Sequence, residues 1–216
     1  MPISRRSLDS PHWSAPFACE VFEECSLELS DRLQRKVLPD FLSRQKRLIG
    51  VRANLVIDRD SNFVGHDGTS RSLSNEVDRQ LLIQLRQLAD LIVTDASTAR
   101  AERYKASKHA PIEVWSRSGN FAGIGEGLTF RITDNPTDQI RNFDGQAILL
   151  ETGPTLTAIL GHGMAVDELK LTVTGAKDQS DAREAAQKAI SHLNLGYLSK
   201  SEQEYLQPCW FFSFSR

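Results

Sequence analysis

Three short stretches of this sequence put hydroxyl, guanidinium and carboxylate groups where an apolar run gives way to polar residues. In the first, Leu91-Ile92-Val93-Thr94 leads into Asp95-Ala96-Ser97-Thr98, and Ala99-Arg100-Ala101-Glu102 completes a helical turn. Thr98 and Glu102 are four apart and share a face of that turn. In the second, Val114-Trp115 delivers Ser116-Arg117-Ser118, a hydroxyl beside a planar cation, a pair suited to a phosphate. In the third, Leu149-Leu150 runs into Glu151-Thr152-Gly153-Pro154-Thr155-Leu156, where Gly153 permits close backbone approach and Pro154 suits a first helical turn. At the carboxyl ends of parallel strands, the following helices present unpaired N–H groups to anions. Singly, the stretches also read as a helix cap, a polar turn and a strand-to-helix corner; their order is what gives them weight.

Other reactive types carry less. Gly123-Ile124-Gly125-Glu126-Gly127 lacks the six-residue glycine fingerprint and is expected to be a loop between strands. His66, His109, His162 and His192 have no shared spacing with cysteine or acid, so no metal is expected. Asp167-Glu168 could be imagined as an acid and base pair. Trp210 to Phe214 reads as a terminal strand, buried in the core or in a subunit contact.

The elements that must position these groups follow from periodicity. Val51, Ala53, Leu55 and Ile57 alternate with Arg52, Asn54 and Val56 as in a strand, closed by a turn at Asp58 to Asn62. Ser74 is the expected N-cap of a helix to about Asp90, whose stripe is Val77, Leu81, Leu82, Leu85 and Leu88. Strands are expected at Leu91 to Thr94, Ile112 to Trp115, Leu128 to Ile132, Ala147 to Leu150 and Leu169 to Thr174. Helical segments are expected at Ser97 to Tyr104, Thr155 to Leu160 and Ala182 to Leu193. Leu27 to Leu42 suggests a helix broken at Pro39, and the chain before Cys25 an irregular arm. Alternating strands and helices imply a mainly parallel sheet covered on both faces, with a late antiparallel edge.

At 216 residues the chain suits one large domain, which buries roughly 70% of its unfolded surface. Hydrophobic residues make up 40% and charged residues 25%, an ordinary globular composition. A net charge of -2 with no basic block argues against a duplex nucleic acid as partner and for a small molecule. Cys19, Cys25 and Cys209 have neither metal spacing nor an even count and are expected as free thiols. The basic start has no apolar stretch after it and no run approaches a membrane span, so the cytoplasm is expected.

From Val51 onward, the order of segments resembles the dihydrofolate reductase superfamily, and within it the pyrimidine reductases of riboflavin biosynthesis. The resemblance lies in Gly68-Thr69-Ser70 with Leu73-Ser74, Asp78-Arg79 and Leu85 to Asp90, in Thr98 to Glu102, in Ser116-Arg117, and in Glu151 to Leu156 followed by Val166 to Thr172. It implies a three-layer α/β fold with a mainly parallel mixed sheet. It also implies that Asp167-Glu168 opens a strand and caps or pairs there, rather than serving as acid and base. Residues 46–216 would form the reductase domain, with residues 1–45 an arm and helix packed on it. It implies NADPH held by Val56, Ser72, Thr98, Glu102, Ser116, Arg117 and the loop of Gly153, Pro154, Thr155 and Leu156. It implies a substrate held by Ser70, Arg86 and Glu151, with Arg86 for a ribose phosphate and Glu151 for a hydroxyl or the pyrimidine. The reaction implied is reduction of a ribosylamino-pyrimidine to its ribityl form by a homodimeric enzyme. The chain departs from the pattern at Asp58-Arg59-Asp60-Ser61, and at Thr94, Ser97 and Thr152, which replace glycines. Asp95 adds a carboxylate that repels a bound pyrophosphate. The changes at Asp95 and in the first turn leave open a non-catalytic NADPH-binding relative; a separate alternative is a folate reductase, which would use Asp78 as its buried acid and which the adjacent Arg79 disfavours.

Overall fold

The computed structural model describes residues 37–216. The arm expected before Cys25, and most of the broken helix expected from Leu27, lie outside those residues. A helix α1 (residues 37–43), with Pro39 inside it, precedes β1 (Gly50–Asp58), α2 (Glu76–Gln87), β2 (Leu91–Asp95), α3 (Ala96–Ala101) and β3 (Ile112–Ser116). Then come β4 (Thr129–Ile132), α4 (Pro136–Arg141), β5 (Ala147–Leu150), α5 (Pro154–His162), β6 (Glu168–Thr174), α6 (Gln179–His192), β7 (Ser199–Leu206) and β8 (Cys209–Ser215).

The eight strands form one sheet in the order β4-β3-β2-β5-β1-β6-β8-β7. All neighbours from β4 to β6 are parallel, whereas β8 is antiparallel to both β6 and β7. Successive side chains of a strand point to opposite faces, and here they feed two separate cores. On one face, Val51, Ala53, Leu91, Val93, Ile148, Leu150, Phe212 and Phe214 pack with Leu156 and Leu160 of α5 and with the alanine stripe of α6. On the other, Ile92, Leu149 and Phe211 pack with Phe41 of α1, Val77, Leu81 and Leu85 of α2, and Ala96 and Ala99 of α3. Two cores on one sheet make the three-layer α/β arrangement that the alternation implies.

The structure corrects some details. The N-cap of α2 is Asn75 rather than Ser74: Asn75 Oδ1 accepts the Asp78 N–H at 3.1 Å, while the Ser74 hydroxyl turns to the Asp78 carboxylate. The aromatic strand β8 is an inner strand, and the edge beside it is β7, whose Ser-Lys-Ser-Glu-Gln-Glu run gives no apolar period. Helix α4 is a second addition, begun by Pro136 and capped by Asn135. Asp167 and Glu168 do pair: Glu168 with Arg52 and with Lys170 at 3.0 Å, and Asp167 Oδ2 accepts the Val51 N–H at 2.9 Å. Residues 123–127 are loop, and Cys209 is a free, buried thiol.

Candidate functional site

A cavity of about 810 Å³ opens at the carboxyl ends of the central parallel strands, between β1, β2, the loop after β5, α2 and residues 101–106. Helix α2 builds one wall. Its stripe of Val77, Leu81 and Leu85 faces the core, so the next positions round, Asp78, Leu82 and Arg86, run down the cavity side at intervals of one turn.

At the foot of this wall, Arg86 forks onto Glu151, with Nε and Nη2 at 2.7 and 2.5 Å from the two carboxylate oxygens. The Tyr104 hydroxyl donates to the same carboxylate at 2.5 Å, and the Arg86 guanidinium lies over the Tyr104 ring. The Glu151 side chain is only 4% exposed, and among the described residues its charge is held by these two partners. Burial disfavours the Arg86 cation, yet the Glu151 pairing more than reverses this and raises its pKa. Burial and the neighbouring Glu151 charge push the Tyr104 phenol well above its usual range, so it stays a donor. The strand order makes this cluster: the Thr94 hydroxyl at the end of β2 donates to the Glu151 carbonyl at 2.7 Å, fixing β5's end beside β2.

Asp78, higher on α2, is buried and accepts the hydroxyls of Ser74 and Thr172, each at 2.6 Å. Burial raises its pKa against those two hydrogen bonds and the Arg79 charge. It is a carboxyl at the cavity wall that holds its proton more readily than a surface aspartate.

On the opposite side, α3 starts directly at β2's end, with Asp95 as N-cap. Thr98 and Gly153 meet across this corner, where a Cβ added to Gly153 would come within 3.0 Å of Thr98 Oγ1. Glu102, the C-cap of α3, accepts the Ser70 N–H at 2.6 Å and pairs with Arg71, and so pins the loop that leads to α2. Three further cations, Arg79, Arg103 and Lys105, line the mouth and have no ion-pair partner among the described residues. Arg103 has φ of 53°, a left-handed conformation that costs a non-glycine residue about 1 kcal/mol or more.

Of the residues singled out from the sequence, Val56, Ser70, Thr98, Glu102 and Arg86 line the cavity, as do Glu151, Gly153, Pro154 and Thr155. Four do not. Ser72 donates to Asp67 at 2.8 Å and secures a turn; Leu156 is buried in the core. Ser116 and Arg117 lie beyond the cavity at the end of β3, with Arg117 exposed and the Ser116 hydroxyl 3.4 Å from that of Ser118. Sequence reasoning missed Tyr104, Arg103 and Lys105. It also assigned Arg86 and Glu151 to substrate separately, whereas they are each other's partner.

No protein-family model and no curated protein sequence matches the chain. Solved structures do. A pyrimidine reductase-like protein of Corynebacterium diphtheriae is similar at a TM-score of 0.55 and 17% identity, over 78% of this chain and 92% of that one. The diaminohydroxyphosphoribosylaminopyrimidine deaminase/5-amino-6-(5-phosphoribosylamino)uracil reductase of Thermotoga maritima has a TM-score of 0.51 and 12% identity, over 77% of this chain and 56% of that one. A dihydrofolate reductase of Enterococcus faecalis, in complex with NADP(H) and RAB-propyl, has a TM-score of 0.51 and 10% identity, over 77% and 96%. With sheet order, two-faced core and these likenesses together, the fold of this chain is the dihydrofolate-reductase-like one.

Proposed function

We propose that the chain is an NADPH-dependent reductase of the pyrimidine-reductase kind, acting on a ribosylamino-pyrimidine such as 5-amino-6-(5-phosphoribosylamino)uracil and leaving its ribityl form. One observation carries this reading: nine of the thirteen positions that the family resemblance assigns to cofactor or substrate converge on a single cavity at the strands' carboxyl ends. The donors there suit a dinucleotide. Thr98 and the N–H groups of Ser97 and Gly153 meet at one corner, where they close on Asp95, and beyond the cavity Arg117, without an ion-pair partner among the described residues, stands next to Ser116 and offers a cation to a 2′-phosphate. When bound, NADPH would supply the hydride.

The protein's part is then orientation. Glu151, held by Arg86 and Tyr104, keeps two fixed acceptor oxygens at the inner end of the cavity, where a hydroxyl or ring N–H of the pyrimidine can bond. Arg86 is committed to that carboxylate. The substrate phosphate therefore falls to Arg79, Arg103 and Lys105, which have no ion-pair partner among the described residues. Ser70 and Glu102 hold the loop between them. A cytoplasmic location belongs to the same proposal.

The test is oxidation of NADPH by the purified protein with the phosphorylated ribosylamino-pyrimidine, with the ribityl product identified by mass. No product at saturating substrate would overturn the proposal. Buried Asp78, with its raised pKa, favours a second reading as a folate reductase. Tight inhibition by a folate analogue, with turnover of dihydrofolate, would select it.

A further inference from the structure

The Asp95 carboxylate receives five hydrogen bonds. Oδ1 accepts the N–H groups of Ser97 at 3.0 Å and Thr98 at 2.9 Å, and the Ser97 hydroxyl. Oδ2 accepts the Thr98 hydroxyl at 2.7 Å and the N–H of Gly153 at 2.9 Å. A helix cap explains only the first two. The bond to Gly153 crosses to a loop 58 residues away, at the start of α5, and spends its N-terminal donor on this chain's own anion. Burial opposes a charge there, yet the hydrogen bonds from Ser97, Thr98 and Gly153 hold the carboxyl below its ordinary pKa. Backbone N–H groups from the first turn of α3 and from the loop before α5, a threonine hydroxyl and a glycine that lets them close together are the surroundings of a bound phosphate. Here a side chain fills them.

We propose that Asp95 is a resident anion that stands in the place of a dinucleotide's diphosphate, so that NADPH enters this cavity only by displacing it and with an affinity that Asp95 sets. This rests on reading the cavity as an NADPH site. Displacement requires the carboxylate to leave the donors of Ser97, Thr98 and Gly153 while a second negative group arrives. Affinity is lowered by both the lost bonds and the repulsion. Asp95 thereby distinguishes ligands by whether they carry charge at this corner.

The experiment titrates the wild type, Asp95→Asn and Asp95→Gly with NADPH, and with 2′-AMP, which has no diphosphate. Asparagine caps α3 as well as aspartate does while removing the charge and the oxygen that accepts from Thr98 and Gly153; glycine removes the side chain and costs the cap little. NADPH should bind Asp95→Gly at least about tenfold more tightly than wild type, with Asp95→Asn in between, while 2′-AMP binds all three alike. Variants that fold as the wild type does, by circular dichroism, but bind NADPH no more tightly would overturn the proposal. So would an equal gain for 2′-AMP, because the gain would then not lie at the diphosphate. Should Asp95→Gly fail to fold, Asp95→Asn decides alone. The reductase reading fails differently: NADPH bound, with the predicted gain in the variants, and no pyrimidine reduced by any of them. No NADPH binding by any of the three proteins would sink both.

Discussion

Arg86 illustrates how one residue changes meaning once its neighbour is known. Its removal strands the buried Glu151 carboxylate, so Arg86→Ala should lower the unfolding free energy by about 2 to 4 kcal/mol before any effect on substrate is felt. Urea denaturation checks this, and the double variant Arg86→Met with Glu151→Gln should lose less than the single one. An Arg86→Ala protein as stable as wild type would show that Glu151 does not depend on it. Asp78 gives a pH prediction. Its pKa is raised in the folded state, so the fold binds that proton more tightly than the unfolded chain does. The carboxyl therefore costs stability above its folded pKa, and the cost fades as pH falls through that value towards the usual aspartate pKa of about 4. Asp67, Asp90 and Asp95, all lowered, act in the opposite sense on acidification, so only a difference isolates Asp78. Relative to wild type, Asp78→Asn should be stabilised at pH 7, and the gap should close towards pH 4 in thermal melts. A gap that does not vary with pH would remove the assignment. Beyond the cavity, at the end of β3, Arg117→Ala should weaken NADPH by roughly 1 to 2 kcal/mol and leave NADH unchanged, with the difference shrinking in high salt. Equal loss for both cofactors in paired titrations would move the 2′-phosphate elsewhere.

At the scale of elements, the cap of α2 is a sharp test, because Ser74 and Asn75 are adjacent candidates with different partners. Asn75→Ala should cost about 1 kcal/mol by denaturation, whereas Asn75→Asp retains the cap and should cost less. The strands at 91–94 and 147–150 were legible in the sequence because their apolar residues face two cores, which leaves short, dense apolar runs, and the strand at 51–57 because its apolar residues alternate with Arg52 and Asn54. Strand β7 was not: among the described residues it is an edge paired only to β8, and Ser199 to Glu204 bury little, so nothing forces alternation on them. Helix α4, six residues long, is too short for a periodic stripe. In the site, Thr98, Arg86 and Glu151 were visible from their neighbours in sequence. Their partners were not, since Glu151 lies 65 residues from Arg86 and 47 from Tyr104, and only the placing of β2 beside β5 brings them together.

The whole molecule offers two unlike sheet edges. Lys200, Glu202 and Glu204 make the β7 edge charged, a surface that resists pairing with another strand. The β4 edge exposes Phe130 and Ile132 instead. The homodimer inferred from the family resemblance is therefore proposed to use β4 rather than the enclosed β8. Light scattering at micromolar concentration should give a dimer, and Ile132→Lys a monomer with unchanged secondary structure; a monomeric wild type would count against it. Among the described residues no helix is long and apolar enough to cross a membrane. Lastly, the Asn75 amide that caps α2 also donates to the Cys209 thiol of β8 at 3.2 Å, and burial pushes that thiol up to about 12. A thiol so placed is chemically silent until the start of α2 lifts from the sheet. Its rate of alkylation is then a clock for that local opening. Because Asp78 sits one turn further along the same helix, any molecule that settles in the cavity against it should make the clock run slower.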